Sequence, residues 1–178
     1  MSGTSRVARR ASEAALRALV LGGVVVVLAG CPSEPPRAPN IMRPLDEPHA
    51  VSIIASVFKE FNVDVERNRI IHVGDDPKEL RLEVAAKGKT WGIAYLTSQE
   101  GDKLGATLPV RKDPDQLIIM DASGNGETGQ RGILLYAGDY LSDDIYGDTH
   151  TATSIAAENK LALATRDVVR MVAHEGWR

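Results

Sequence analysis

Apolar residues recur at two different periods along this chain, and the changes of period mark out its elements. Val51, Ile54, Val57, Phe58 and Phe61 follow one another at steps of three and four, the spacing of one face of an amphipathic helix. Asp46 or Glu47 ahead of Pro48 supplies its start, because proline suits the first helical turn. Residues 63 to 65 and 69 to 73 read as extended, with Arg67-Asn68 turning between them. The period then drops to two. Leu80, Leu82 and Val84 alternate with charged partners, Lys87-Gly88-Lys89 offers a turn, and Trp91, Ile93 and Tyr95 alternate again, which predicts a hairpin with one buried face.

Ser98 to Gly105 reads as a short helix or loop. Leu117 to Met120 and Gly132 to Tyr136 are unbroken apolar runs with β-branched content, the pattern of central strands. A last helix is expected from about Thr151 to Ala173, capped by Asp148, Thr149 or Thr151. Leu161, Thr165, Val168, Val169 and Val172 define its apolar face, while Ala152, Ile155 and Ala156 turn a different face, which predicts a curved or broken helix. The order of these elements predicts an α+β fold. Its mainly antiparallel sheet of about four to six strands should carry an N-terminal and a long C-terminal helix on one face.

The first 44 residues obey neither period. Arg6, Arg9, Arg10 and Arg17 stand against a single Glu13, and an uncharged run from Ala18 to Ala29 follows. That order of basic segment, apolar segment and small residues is the order of a signal peptide. At about 12 residues the run is well short of the roughly 20 that a helix needs to cross a bilayer. Arg9-Arg10 is followed by Ala11, Ser12 and Glu13, not by an apolar residue, so ordinary export is expected over the twin-arginine route.

Cys31, the only cysteine, closes the run Leu28-Ala29-Gly30-Cys31. This run resembles the lipobox of bacterial lipoproteins, a resemblance confined to residues 1 to 31. It implies that the signal peptide is cut before Cys31, that the Cys31 sulfur carries a diacylglycerol, and that the new amino terminus is acylated. One acyl chain holds only marginally, at about 0.8 kcal/mol per buried methylene, whereas two or three give stable anchoring. Behind Cys31, five of the nine prolines fall between residues 32 and 44, which favours an extended spacer. Thirteen such residues span on the order of 40 Å, enough to lift a domain off the headgroups. The expected organisation is a signal peptide over 1–30, a lipidated cysteine and tether over 31–44, and a single domain over 45–178. Pro32 stands where an aspartate commonly retains such lipoproteins in the inner membrane, so the resemblance favours the outer membrane, facing the periplasm.

Removing residues 1 to 30 takes away four arginines and one glutamate and leaves 17 basic and 23 acidic residues, a formal charge of −6. With no run of Lys or Arg after Arg17, nucleic acid is not an expected partner. Two loops carry candidate chemistry. Asp121, Ser123, Asn125 and Glu127 place oxygens at alternate positions beside Gly124 and Gly126, as the first half of a calcium loop does. The twelfth position, however, is Gly132 where a bidentate glutamate belongs, and turn chemistry alone accounts for the composition. The second loop holds Asp139, Tyr140, Asp143, Asp144 and Tyr146, with Asp148 and His150 beyond. Its acids suit capping and solvation, and its aromatic residues make it the expected recognition surface.

Other templates are missing. The chain has no G-x-S-x-G, no G-x-x-x-x-G-K and no H-E-x-x-H, and its four histidines, His49, His72, His150 and His174, are too scattered to suggest zinc. Lipidation would also remove the one thiol from catalysis. The sequence therefore favours a non-enzymatic module of the cell envelope that recruits a protein partner. A cation or small-ligand binding protein using the loops at 121–127 or 139–148 is the alternative, ahead of an enzyme.

Overall fold

The computed structural model describes residues 41–113, 116–143 and 153–176. A two-residue strand, β1 (Arg43–Pro44), leads into helix α1 (Glu47–Glu60). The Asp46 carboxylate accepts the His49 N–H at 3.2 Å, Pro48 sits in the first turn, and Ala50, Ile54, Ala55, Val57 and Phe58 are buried. Just past the helix, Asn62 takes the left-handed conformation at φ 56° and turns the chain toward the sheet.

That sheet contains β2 (Val65–Val73), β3 (Lys78–Ala86), β4 (Trp91–Leu96), β5 (Ile118–Asp121) and β6 (Arg131–Tyr136), in the order β2-β3-β4-β6-β5. Three pairings are antiparallel, and β4 with β6 is parallel. The parallel pair needs a crossover, which carries helix α2 (Ser98–Leu104) and the edge strand β5. Thr97 and Glu100 close α2 with a reciprocal capping box. After β6 the chain makes a short 3-10 turn, and β7 (Leu141–Ser142) pairs with β1. Helix α3 (Ser154–Glu175) follows.

Helices α1 and α3 lie together on one face of the sheet. Ile54 and Phe58 of α1 meet Trp91, Ile93 and Tyr95 of β4, and Leu161, Val168 and Val172 of α3 complete this core. Phe58 and Trp91 rings stand 5.0 Å apart. His49 to Glu158 at 3.0 Å and Arg166 to Glu60 at 2.9 Å join the two helices, though exposed pairs of this kind contribute little. The opposite face buries Ile71, Leu80, Leu82, Leu96, Met120 and Leu134, closed over by Leu104 of α2. Here the sheet curls until its edge strands meet. Val73 bridges Ala122, and the Ser123 N–H reaches the His72 carbonyl at 2.7 Å.

One irregularity governs the curl. Leu80 and Leu82 face the second core, yet Val84 and Ala86, which share their parity, face the helices. A side-chain period of two forbids this unless the strand changes face, and it does so at Glu83. Strand β2 changes face opposite, at Asn68, whose φ is 56°. The two extended pieces expected around Arg67-Asn68 are therefore one kinked strand.

The last helix also differs from expectation. Thr153 caps it by accepting the Ala156 N–H at 3.0 Å, in place of Asp148, Thr149 or Thr151, which lie outside the described residues. It runs unbroken, with Ala157, Leu161, Thr165, Val168, Val169 and Val172 in one buried stripe. Ile155 is exposed, so the apolar residues of the first turn form no second buried face. Ala152 lies outside the described residues. Among the described residues no helix is long and apolar enough to cross a membrane.

Candidate functional site

Beside its buried stripe, α3 carries a second row. Lys160, Leu163, Ala164, Asp167 and Met171 recur at helical steps and form one wall of a groove of about 480 Å³. The facing wall is the end of β6, Leu134 to Tyr136, with Asp139 and Tyr140 from the turn that follows. Arg111, Gln116 and Leu117 close the third side. Leu163 on the lip is 55 % exposed. The floor is aliphatic and the rim is charged, the composition of a binding site more than of a packing defect.

Charges on the rim are fixed in distinct ways. Arg111 donates to Asp139 at 2.6 Å, and its guanidinium sits 4.9 Å over the Tyr136 ring. Asp167 pairs with Arg170 at 3.3 Å. The Lys160 ammonium lies 6.0 Å from the centre of the Tyr140 ring and, among the described residues, has no carboxylate partner. Tyr140 itself is buried, with its ring 6.2 Å from Tyr95. Burial pushes the Tyr140 hydroxyl well above the usual tyrosine range, and the Asp139 charge adds to the shift. Burial likewise pushes Tyr95 up to about 12, with Asp46 contributing, and the Tyr95 hydroxyl donates to the Leu45 carbonyl at 3.0 Å.

A second concavity, about 420 Å³, opens where β3 and β4 part beneath α2. Arg81 reaches three carboxylates there: Glu47 at 2.6 Å, Glu83 at 2.8 Å and Glu100 at 2.8 Å. Burial raises the Glu83 carboxyl, against the opposing pull of Arg81 and the Tyr95 N–H, while the bond to Glu83 is the largest influence raising Arg81. A buried acid in a cleft has the makings of acid-base chemistry. Both of its oxygens are nevertheless engaged in the fold: one accepts from Arg81 and the other from the Tyr95 N–H at 2.7 Å. Lys78, on the same cleft, donates to the carbonyls of Lys103 and Leu104 at the end of α2. The cluster ties α1, α2, β3 and β4 together.

The calcium-like loop is likewise tied into the fold. Asp121 accepts from Arg131 at 3.0 Å, and Ser123 Oγ donates to the Gly74 carbonyl at 2.7 Å. Glu127 accepts the His72 N–H at 2.7 Å and faces His72 Nδ1 at 2.9 Å, contacts that hold its carboxyl below the usual range, the backbone one most strongly. Asn125 is exposed at the turn. Among the described residues no three His, Cys, Asp or Glu side chains are grouped to hold a metal ion.

Of the expected recognition surface, Asp139 and Tyr140 line the groove, Asp143 is buried and engaged, and Asp144 and Tyr146 lie outside the described residues, as does Cys31. Sequence reading missed Lys160, Leu163 and Arg111. The off-stripe pair Leu163 and Met171, two helical turns apart, was the available signal. The Arg81 cluster gave none, because Glu47 and Glu100 lie 34 and 19 residues away. Comparison with family models, curated proteins and solved structures finds no match for this chain.

Proposed function

We propose that this chain is a lipid-anchored domain of the bacterial cell envelope that binds a protein partner and catalyses no reaction of its own. The resemblance of Leu28-Ala29-Gly30-Cys31 to a lipobox supports acyl anchoring through Cys31, with the outer membrane, facing the periplasm, as the favoured site. The observation that carries the binding reading is the groove along α3. An aliphatic trough with an exposed leucine on its lip and charges around it has the make-up of a recognition surface.

The test is affinity purification of the full chain from crosslinked intact cells, comparing the wild type with Leu163→Asp and with Ile119→Asp, an exposed position on β5. Recovery of the same envelope protein by wild type and Ile119→Asp, and its loss with Leu163→Asp, is the expected result. Recovery of nothing, or equal recovery by all three, overturns the reading.

A further inference from the structure

The geometry points to the occupant of this groove: an amphipathic helix of the partner that carries a carboxylate facing Lys160. The inference rests on the groove being the binding surface and adds what the surface accepts.

The shape of the occupant follows from backbone hydrogen bonding. One long wall is α3, whose main-chain groups are bonded within the helix. The other is β6, paired with β4 from Arg131 to Tyr136 and with β5 from Arg131 to Leu134. Helix α3 offers no free row of N–H and C=O groups, and on β6 only Leu135 and Tyr136 stand beyond the pairing with β5, too short a stretch to add a strand. An extended peptide laid there would leave its own backbone unpaired against aliphatic side chains, at a cost comparable to a lost hydrogen bond for each group. A helix brings its backbone bonds with it. From Lys160 to Met171 the wall is about 17 Å long, at 1.5 Å per residue, which matches three turns of a docked helix with apolar anchors at i, i+4 and i+7.

The charge of the occupant follows from the rim. Arg111 is neutralised by Asp139, and Asp167 by Arg170. That leaves Lys160, exposed beside Tyr140, as the groove cation without an acidic partner among the described residues. A carboxylate placed over it would gain an attraction strengthened by the apolar floor beneath, and a cation there would be repelled.

The test uses the full-length chain with benzoylphenylalanine in place of Leu163, irradiated in intact cells, and the adduct peptide sequenced by mass spectrometry. The expected adduct lies in a helical segment of an envelope protein, with Asp or Glu within one turn of the crosslinked residue. Lys160→Glu should lower the yield about tenfold and Lys160→Arg should leave it within about twofold, as for loss of one partly desolvated charge pair. Replacing the partner's acid by lysine should restore the yield in the Lys160→Glu background. An adduct on an extended segment, on lipid or on a helix without the acid overturns the inference, as does a yield indifferent to Lys160→Glu, while the binding groove itself survives a protein adduct of either kind. No adduct at all overturns both.

Discussion

One carboxylate oxygen of Glu83 accepts the main-chain N–H of Tyr95 at 2.7 Å, across the point where the β3–β4 ladder stops at Val84 and Ile93. The side chain stands where a strand carbonyl would otherwise be. Sheet curvature, the change of face in β3 and the cleft under α2 all meet at this bond.

Glu83→Ala should therefore cost more than a surface substitution. It leaves the buried Tyr95 N–H without an acceptor and deprives Arg81 of its most buried partner, a combined loss of about 2–3 kcal/mol once the partial exposure of Arg81 is allowed for. Glu83→Gln keeps an oxygen for Tyr95 and should lose about 1 kcal/mol. Urea unfolding followed by circular dichroism measures both. Equal stability of Glu83→Ala and wild type would refute the bridging role.

The close approach of β3 and β4 beside this bond makes a second prediction. A Cβ on Gly92 would lie 2.8 Å from the Ala85 Cβ and 2.9 Å from its Cα, main-chain-anchored atoms that cannot swing aside. Gly92→Ala should destabilise by about 1–3 kcal/mol or more through overpacking. Gly138, where an added Cβ meets nothing within 4 Å, serves as the control, and Gly138→Ala should stay within about 0.5 kcal/mol. Unfolding midpoints of the two variants decide the matter.

Two glutamates should pull the pH dependence of stability in opposite directions. His72 lowers the Glu127 carboxyl below its unfolded value, so its contribution is present above about pH 4.3 and is lost as pH falls through the folded value. Glu60 and Glu66 act with the same sign but at exposed, screened positions. Burial raises Glu83, whose contribution is fully present below about pH 4.3 and declines as pH rises through its folded value. Glu127→Gln should thus flatten the acid limb of a plot of Tm against pH, and Glu83→Gln should remove part of the decline above it. Parallel curves for wild type and both variants would contradict these assignments.

The contrast between legible and hidden features has a physical basis. Helix α1 and its capped start at Asp46 are written in local spacing, and the fold assembles them as that spacing implies. The β3–β4 pair also forms, but it is buried on both faces and not on one as its alternation suggests, because a second core covers the side expected to be wet. The kink at Asn68 and Glu83 was invisible because a charged residue at an alternating position reads as solvent-facing, whereas Glu83 is buried by partners on β4 and by Arg81. Tyr140 misleads for the reverse reason. A tyrosine in an acidic loop suggests a surface, yet its ring is buried in the core beside Tyr95 while it also lines the groove. Lys160 and Arg111 acquire meaning only when α3 and β6 come together, which no local pattern encodes.

Anchoring through Cys31 is the claim on which the cellular account stands, and incorporation of labelled palmitate by the full chain in its native cell tests it most directly. Label in the wild type, and none in Cys31→Ser with the domain still folded, is the predicted result. An unlabelled wild type, or equal label in both, would contradict the account.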